Sequence, residues 1–123
     1  MIQQLFLVAS GGALGSVARF LVGRALPIGT TGSFPIATLV VNLLGSLLIG
    51  MLFGWIGRQD SGTENMRLLL MTGFCGGFTT FSALTLESLQ LIREQKTGLF
   101  FLYISISLLL GLAATFAGWR LLK

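Results

Sequence analysis

The stretch TGFCGGFTTFS, residues 72–82, decides how this chain is organised. It lies inside a long uncharged run, yet it contains the adjacent glycines Gly76 and Gly77 and the adjacent threonines Thr79 and Thr80. Glycine is the poorest helix former after proline, and threonine is a weak one. The stretch therefore predicts a helix that is interrupted near its middle.

An interruption of this kind releases backbone carbonyl and amide groups from their helical partners. At membrane depth, such groups persist only where they are buried in protein, line water or bind an ion. Broken helices form ion sites in transporters, and carbonyl oxygens alone suit a hard monovalent cation. The residues leave two interpretations open, which are an ion site at the break and a simple kink.

The composition excludes most classes of protein. The chain has 123 residues, enough for a single domain over residues 1–123, and is 54% hydrophobic but only 10% charged, against about 25% charged in ordinary soluble domains. A net charge of +4 spread along the chain forms no basic patch, so no nucleic-acid partner is expected. Because histidine is absent, zinc sites and histidine-based acid–base catalysis are excluded, and we expect no enzyme.

Four uncharged runs are long enough to cross a bilayer, which takes about 20 apolar residues. We predict an all-α integral membrane fold, with spans at about 3–25, 34–57, 66–91 and 97–121, the third of them broken mid-membrane. The second run, Ala25 to Gly57, covers 33 residues and breaks in the turn-rich stretch between Pro27 and Pro35. Pro35 suits the first turn of the second helix. The amino terminus lacks the basic segment of a signal peptide and is interpreted as the first span.

The basic residues sort evenly onto the two sides of such a bundle. Orientation follows the Lys/Arg excess between the two sides, so an even count predicts insertion in both directions and an antiparallel homodimer. The alternative is that Arg19 lies inside the first helix, which leaves a weak bias. One side holds Arg58, Arg67, Arg120 and Lys123, and the other holds Arg19, Arg24, Arg93 and Lys96.

Two spans carry polar and small residues at every fourth position, so each set lies along one helix face. Small residues at this spacing commonly pack helices in membranes, which is the interpretation favoured for the glycine pairs of the first two spans. Asn42 is different because a primary amide in a bilayer is costly without several partners; it indicates either a conduit or a contact between helices. The stripes are Thr38, Asn42, Ser46, Gly50 and Gly54 in the second span and Tyr103, Ser107, Gly111 and Thr115 in the fourth.

Phenylalanine rings flank the two threonines of the break. The positive edges of Phe78 and Phe81, beside hydroxyl groups, could solvate a small anion. The alternative is that these rings face lipid. Glu87 ends the uncharged part of the third span and could lie at a vestibule or cap a helix.

The motifs GGALGSVAR (Gly11–Arg19), TLVVNLLG (Thr38–Gly45) and TGFCGGFTTFS followed by Glu87 resemble those of the Fluc fluoride channels, also called CrcB. The resemblance covers nearly the whole chain, including its length and its four spans. It implies an antiparallel, dual-topology homodimer in the bacterial plasma membrane. Such proteins export toxic fluoride passively through two pores per dimer, with a structural sodium ion at the dimer centre.

The resemblance also implies roles for individual residues. The backbone carbonyls of Gly76 and Thr79 in both subunits would hold the sodium ion, while Arg19 and Glu87 would act as vestibule or structural charges. The family's second pore phenylalanine falls on Leu84, which has no ring edge, so one ring of each pore is expected to be missing. The expected pore residues are Thr38, Asn42, Phe81, Ser82, Tyr103, Ser107 and Thr115.

Two other classes of protein compete with this assignment. A small multidrug exporter has a similar length and topology, but it needs an acidic residue inside the first helix, and none precedes Arg19. A non-transporting membrane scaffold would explain the glycine spacing. It would not explain Asn42 or the interrupted third span.

Overall fold

The computed structural model describes residues 1–26 and 34–123, and within them the chain is helical and contains no strand. Four helical stretches are long and apolar enough to cross a membrane, namely Ile2–Ala25, Ile36–Gly57, Glu64–Arg93 and Thr97–Leu122, so the prediction of an all-helical protein with four spans is confirmed. The elements are α1 (Ile2–Ala25), α2 (Ile36–Gly57), α3 (Glu64–Met66), a π-helical segment (Arg67–Cys75), α4 (Gly76–Phe78), α5 (Phe81–Arg93) and α6 (Thr97–Leu122).

Most of the predicted connection between the first two spans, residues 27–33, lies outside the described part of the chain. Pro35 is the N-cap of α2, one position before its first helical residue Ile36. The ring therefore takes no donor away from the helix, which is the reason that proline is tolerated at this end.

The third span is irregular around the predicted interruption. Helix α3, the π-helical segment and α4 follow one another without a gap, and then Thr79 (φ −85°, ψ 157°) and Thr80 (φ −148°, ψ 116°) have extended backbones. Helix α5 begins at Phe81, where the Thr80 hydroxyl accepts a hydrogen bond from the Ala83 amide at 3.1 Å. That these two residues lie at mid-membrane depth stays a prediction.

Helix α1 packs parallel to the first half of the third span at very short range. A β-carbon on Gly11 would overlap the Leu69 carbonyl, and one on Gly15 would overlap the Phe74 carbonyl and lie 2.8 Å from the Phe78 amide nitrogen. Backbones approach this closely only where side chains are absent. The packing interpretation of the first glycine pair is therefore confirmed.

Helices α2 and α6 form a second parallel pair. Gly50 lies against the Thr115 carbonyl, and a β-carbon on Gly54 would lie 2.8 Å from the Trp119 carbonyl oxygen, so the contacts advance together along both helices. Gly118 contributes the reverse contact, against the Leu47 carbonyl. The second glycine pair is thus also a packing motif.

The α1 pair and the α2–α6 pair run in opposite directions. Along α2, Thr38 bonds Glu87 of the third span, and Asn42, one turn later, bonds Thr80, which comes earlier in that span. Helices α2 and α6 consequently end on one side of the bundle, and α1 and α5 end on the other. Arg19 lies six residues before the end of α1, about 9 Å inside the helix. This position matches the alternative in which Arg19 is not counted with the loop charges.

Candidate functional site

Asn42 bridges the interruption of the third span. Its side-chain Nδ2 donates to the Thr80 carbonyl at 3.1 Å, and its Oδ1 accepts from the Thr80 amide at 2.9 Å. One peptide group of the extended segment is thereby paired in both directions by a primary amide. One of the two interpretations of Asn42 was a contact between helices, and the side chain makes that contact. It also lines a neighbouring cleft.

The interruption also diverts two backbone donors. In an unbroken α-helix, the Thr80 amide would bond the Gly76 carbonyl, and the Ala83 amide would bond the Thr79 carbonyl. Here the first amide donates to Asn42 and the second donates to the Thr80 hydroxyl. The carbonyls of Gly76 and Thr79, which the resemblance assigns to sodium, therefore lose these helical donors, as do those of Gly77 and Phe78, because the Phe81 and Ser82 amides lie in the first turn of α5.

The neighbouring cleft, which we call the α2–α5 cleft, has a volume of about 370 Å³. Its polar lining comes from Asn42 and Ser46 of α2 and from Thr72, Thr79 and Thr80 of the third span. Phe81 stands at its margin with 75% of its surface exposed in a single chain. The remaining lining residues are Gly45, Ile49, Met71, Cys75, Gly76 and Leu84.

A smaller cleft of about 90 Å³ lies beside the C-terminal half of α1. It is lined by Arg19, Thr38 and Thr80, together with the small residues Gly23 and Ala83, among others. Buried Nε of Arg19 has no hydrogen-bond partner among the described residues. A guanidinium next to two threonines gives this cleft a positive, donor-rich wall.

Thr38 and Glu87 face each other directly. The Thr38 hydroxyl donates to Glu87 Oε1 at 2.5 Å, and both residues are half-buried. The hydroxyl hydrogen of Thr38 is therefore engaged by a carboxylate of its own chain rather than pointing into an open path. Glu87 lies within α5 and caps no helix end.

Tyr103 is the most deeply buried of the predicted pore residues, with 0% exposure in a single chain. Its ring meets Phe34 edge-on at 5.4 Å and packs in a cluster with Leu84 and Leu91. The buried oxygens of Tyr103 and Ser107, one turn apart on α6, have no hydrogen-bond partner among the described residues. Two unpaired hydroxyls in succession form a polar track inside the protomer.

The remaining predicted residues lie apart from that track. Thr115 belongs to the α2–α6 packing seam, since Gly50 contacts its carbonyl. Ser82 is exposed, and its hydroxyl is 3.3 Å from that of Thr80. The predicted set is therefore spread over two clefts, one buried track and one packing seam in a single chain.

Leu84, the position at which the resemblance implies a second pore phenylalanine, is only 7% exposed. It lines the α2–α5 cleft and packs against Tyr103. Phe78 is also 7% exposed, and its ring is stacked on that of Phe74 with centroids 5.7 Å apart. Phe78 is thus a core residue of its own chain.

Sequence reasoning missed the role of Thr80. Its peptide pairs with Asn42, and its hydroxyl caps α5. The available signal was a threonine directly before an apolar helical pattern, which is the usual composition of an N-cap. Cys75 and Ser46 also line the α2–α5 cleft without having been singled out as site residues.

Chemically, the site offers carbonyls, amides, hydroxyls and ring edges. The described residues contain no group of three histidine, cysteine, aspartate or glutamate side chains that could hold a metal ion. The oxygens that this site offers to a cation are backbone carbonyls and the side-chain oxygens of Asn42, Ser46 and the threonines.

Comparison with known proteins matches the chain to one family over most of its length. Residues 6–119 match the family model described as CrcB-like protein, Camphor Resistance (CrcB). A protein of Flavobacterium psychrophilum named fluoride-specific ion channel FluC is 42% identical, over 98% of both chains. Proteins of the same name from Methylobacillus flagellatus and Chlorobaculum tepidum are each 46% identical, over 98% and 100% of this chain and 94% and 97% of their own.

Proposed function

The chain belongs to the CrcB-like family of membrane channels and is not an enzyme, and from this premise we propose that it conducts fluoride passively out of the bacterial cytoplasm. Relatives named as fluoride-specific channels, alike over nearly their whole length, support the substrate. The observation that carries the proposal within this chain is the α2–α5 cleft, where Asn42, three threonines and an exposed phenylalanine lie together between two apolar spans.

Fluoride is small and strongly hydrated, so a selective path must replace its water with donors that hold it weakly enough for release. The exposed edge of Phe81, the amide of Asn42 and the hydroxyls of Ser82, Tyr103 and Ser107 supply such donors. Arg19 raises the local anion concentration at the mouth of the smaller cleft. Thr38 acts on this path indirectly. Its hydroxyl donates to Glu87 and so holds that carboxylate in place.

The proposed assembly is an antiparallel homodimer with two pores, in the bacterial inner membrane. Phe81, exposed by 75% beside polar groups in a single chain, supports a second copy covering the α2–α5 cleft. Apolar spans hide polar clefts from lipid by association. Without Arg19, which lies inside α1, the two sides differ by one basic residue, and so weak a bias supports insertion of the two copies in opposite directions.

A sodium ion at the dimer centre fits the donors of this chain. The carbonyls of Gly76 and Thr79, whose helical donors are diverted, would hold it from both copies. Bound there, the cation supplies positive charge that offsets repulsion between anions in neighbouring pores and links the two subunits.

The sodium proposal is tested by exchanging sodium for a large organic cation during purification. We expect the dimer to dissociate already at a higher protein concentration than it does with sodium, and fluoride flux to fall. Unchanged flux together with unchanged dimer stability would contradict a role for the ion.

Export in cells is tested with a bacterial strain made fluoride-sensitive by removing its own exporter. Wild-type protein should restore growth on fluoride, whereas a Phe81→Ile variant at equal membrane abundance should not. Wild-type protein that is present in the membrane and restores nothing would contradict fluoride export.

A further inference from the structure

Both tryptophans of the chain lie at the same end of the bundle. Trp55 follows Gly54, and a β-carbon on Gly54 would lie 2.8 Å from the Trp119 carbonyl oxygen and 3.0 Å from the Lys123 amide nitrogen. The glycine contact therefore holds the last turns of α2 and α6 side by side. Both indole side chains are half-buried. Tryptophan at the end of a span is characteristic of the membrane–water interface.

Three exposed cations surround these rings. Arg58 caps the end of α2, while Arg120 and Lys123 lie at the end of α6. The Lys123 ammonium lies 4.7 Å from the centroid of the Trp119 ring, a cation–π contact that keeps the charge beside the apolar face. The long stems of these side chains let the charged groups reach the headgroup layer.

Two carboxylates, those of Asp60 and Glu64, follow α2 at this end, but among the described residues neither forms an ion pair with these cations. The ion pair found in the described residues joins Lys96 to Glu94 at the opposite end of the bundle, and it leaves Arg58, Arg120 and Lys123 without an acidic partner. The C-terminal ends of α2 and α6 contribute partial negative charge, about half a unit each. With the exposed Arg67, four cations at this end stand against the carboxylates of Asp60 and Glu64 and these partial charges, so the end of the bundle keeps a positive surface next to two indole rings.

We propose that this end, formed by Trp55, Arg58, Trp119, Arg120 and Lys123, binds the phosphate headgroup of an anionic phospholipid. The cations meet the phosphate oxygens, and the indole rings lie against the glycerol and upper acyl region. A zwitterionic lipid presents the same phosphate together with a cationic group that these residues repel. The site therefore discriminates by headgroup charge. This inference does not depend on fluoride conduction.

The tryptophans themselves report on the site, because the chain has no others. The dimer is reconstituted in phosphatidylcholine containing a minor fraction of brominated phosphatidylglycerol, or of brominated phosphatidylcholine, and tryptophan quenching is compared. We expect stronger quenching by the anionic lipid. The preference should weaken sharply at about 1 M salt, where the Debye length is about 3 Å.

Variants Arg120→Gln and Lys123→Gln should each lower the preference roughly fivefold, since one cation near a membrane surface contributes about 1 kcal/mol. The matched control is Arg93→Gln, an exposed cation in the last turn of α5 at the other end. In an antiparallel dimer each leaflet meets both kinds of end, so this control separates a local site from general leaflet charge. Its quenching should equal that of the wild type.

Equal quenching by the two brominated lipids would overturn the proposal. So would an equal loss in the Arg93→Gln control, which would reduce the effect to surface charge. Relief of quenching by millimolar-range inorganic phosphate, at constant ionic strength, would identify a phosphate site that needs no lipid and would overturn the assignment of its ligand.

Discussion

At the residue scale, Asn42 links the polar chemistry of the site to the integrity of the fold. Its amide satisfies both groups of the Thr80 peptide, which has no helical continuation. The same side chain lines the α2–α5 cleft. A single residue therefore serves as a contact between helices and as a donor beside the proposed path.

We predict that Asn42→Ala lowers stability as well as flux. The substitution leaves the Thr80 amide and carbonyl without their partner, at a cost of about 1–3 kcal/mol for each buried unpaired group. Thermal unfolding in detergent measures the first effect, and fluoride efflux from liposomes measures the second. Wild-type stability with lost flux would show that Asn42 acts only on the ion.

The two phenylalanines around the break should respond differently to the same change. Phe78→Ile removes a buried ring that stacks on Phe74 and should destabilise the protein by about 1–3 kcal/mol. Phe81→Ile changes a ring that is exposed within its own chain and should lower the unfolding temperature of the detergent-solubilised protein less than Phe78→Ile does, while abolishing flux. Full conduction by Phe81→Ile would rule out its ring edge as an anion contact.

At the scale of the helices, glycine contacts organise the bundle into two parallel pairs. The four spans and the irregular third span follow from charge spacing and from weak helix formers at residues 76–80, which local composition reveals. The π-helical segment Arg67–Cys75 carries no comparable signal, because nine ordinary residues can form either helix. The backbone of this segment packs against α1 at Gly11 and Gly15. A contact between such distant residues is not visible in the local sequence.

A matched pair of substitutions in α1 tests this packing. A β-carbon on Gly11 overlaps the backbone of the third span, whereas one on Gly23 would have no atom of the described residues within 4 Å. Gly11→Ala should therefore lower the unfolding temperature strongly. Gly23→Ala should leave it unchanged or raise it slightly, since alanine is the better helix former. Equal effects would contradict close packing of α1 on the π-helical segment.

At the scale of the whole molecule, the sequence predicted the four spans, but it did not predict which polar residues of those spans are buried within a single chain. Every fourth residue of a helix shares a face, but the face does not reveal what covers it. Tyr103 therefore proves to be fully buried in its own chain, while Thr115 lies in a packing seam. Burial of this kind depends on contacts between distant residues, such as Leu84 with Tyr103, which spacing along one helix cannot supply.

The weak charge bias that remains when Arg19 is not counted predicts two orientations in one membrane. A Ser61→Cys change in the exposed loop after α2, made in a Cys75→Ser background, allows labelling with an impermeant thiol reagent from either side. We expect equal labelling from each side. Two lysines added to the same loop should shift the ratio towards the cytoplasm. Labelling from one side alone would contradict the antiparallel dimer.

Ion efflux from liposomes that contain the purified dimer tests directly whether this chain forms a fluoride-selective pore. A fluoride electrode follows release, a chloride electrode serves as the control, and a Leu84→Phe variant is measured beside the wild type. We expect fluoride release with chloride retained. The variant should release fluoride at an equal or faster rate, because phenylalanine at residue 84 adds a ring edge. No fluoride release from either protein, or release of chloride at the same rate, would contradict a fluoride-selective pore.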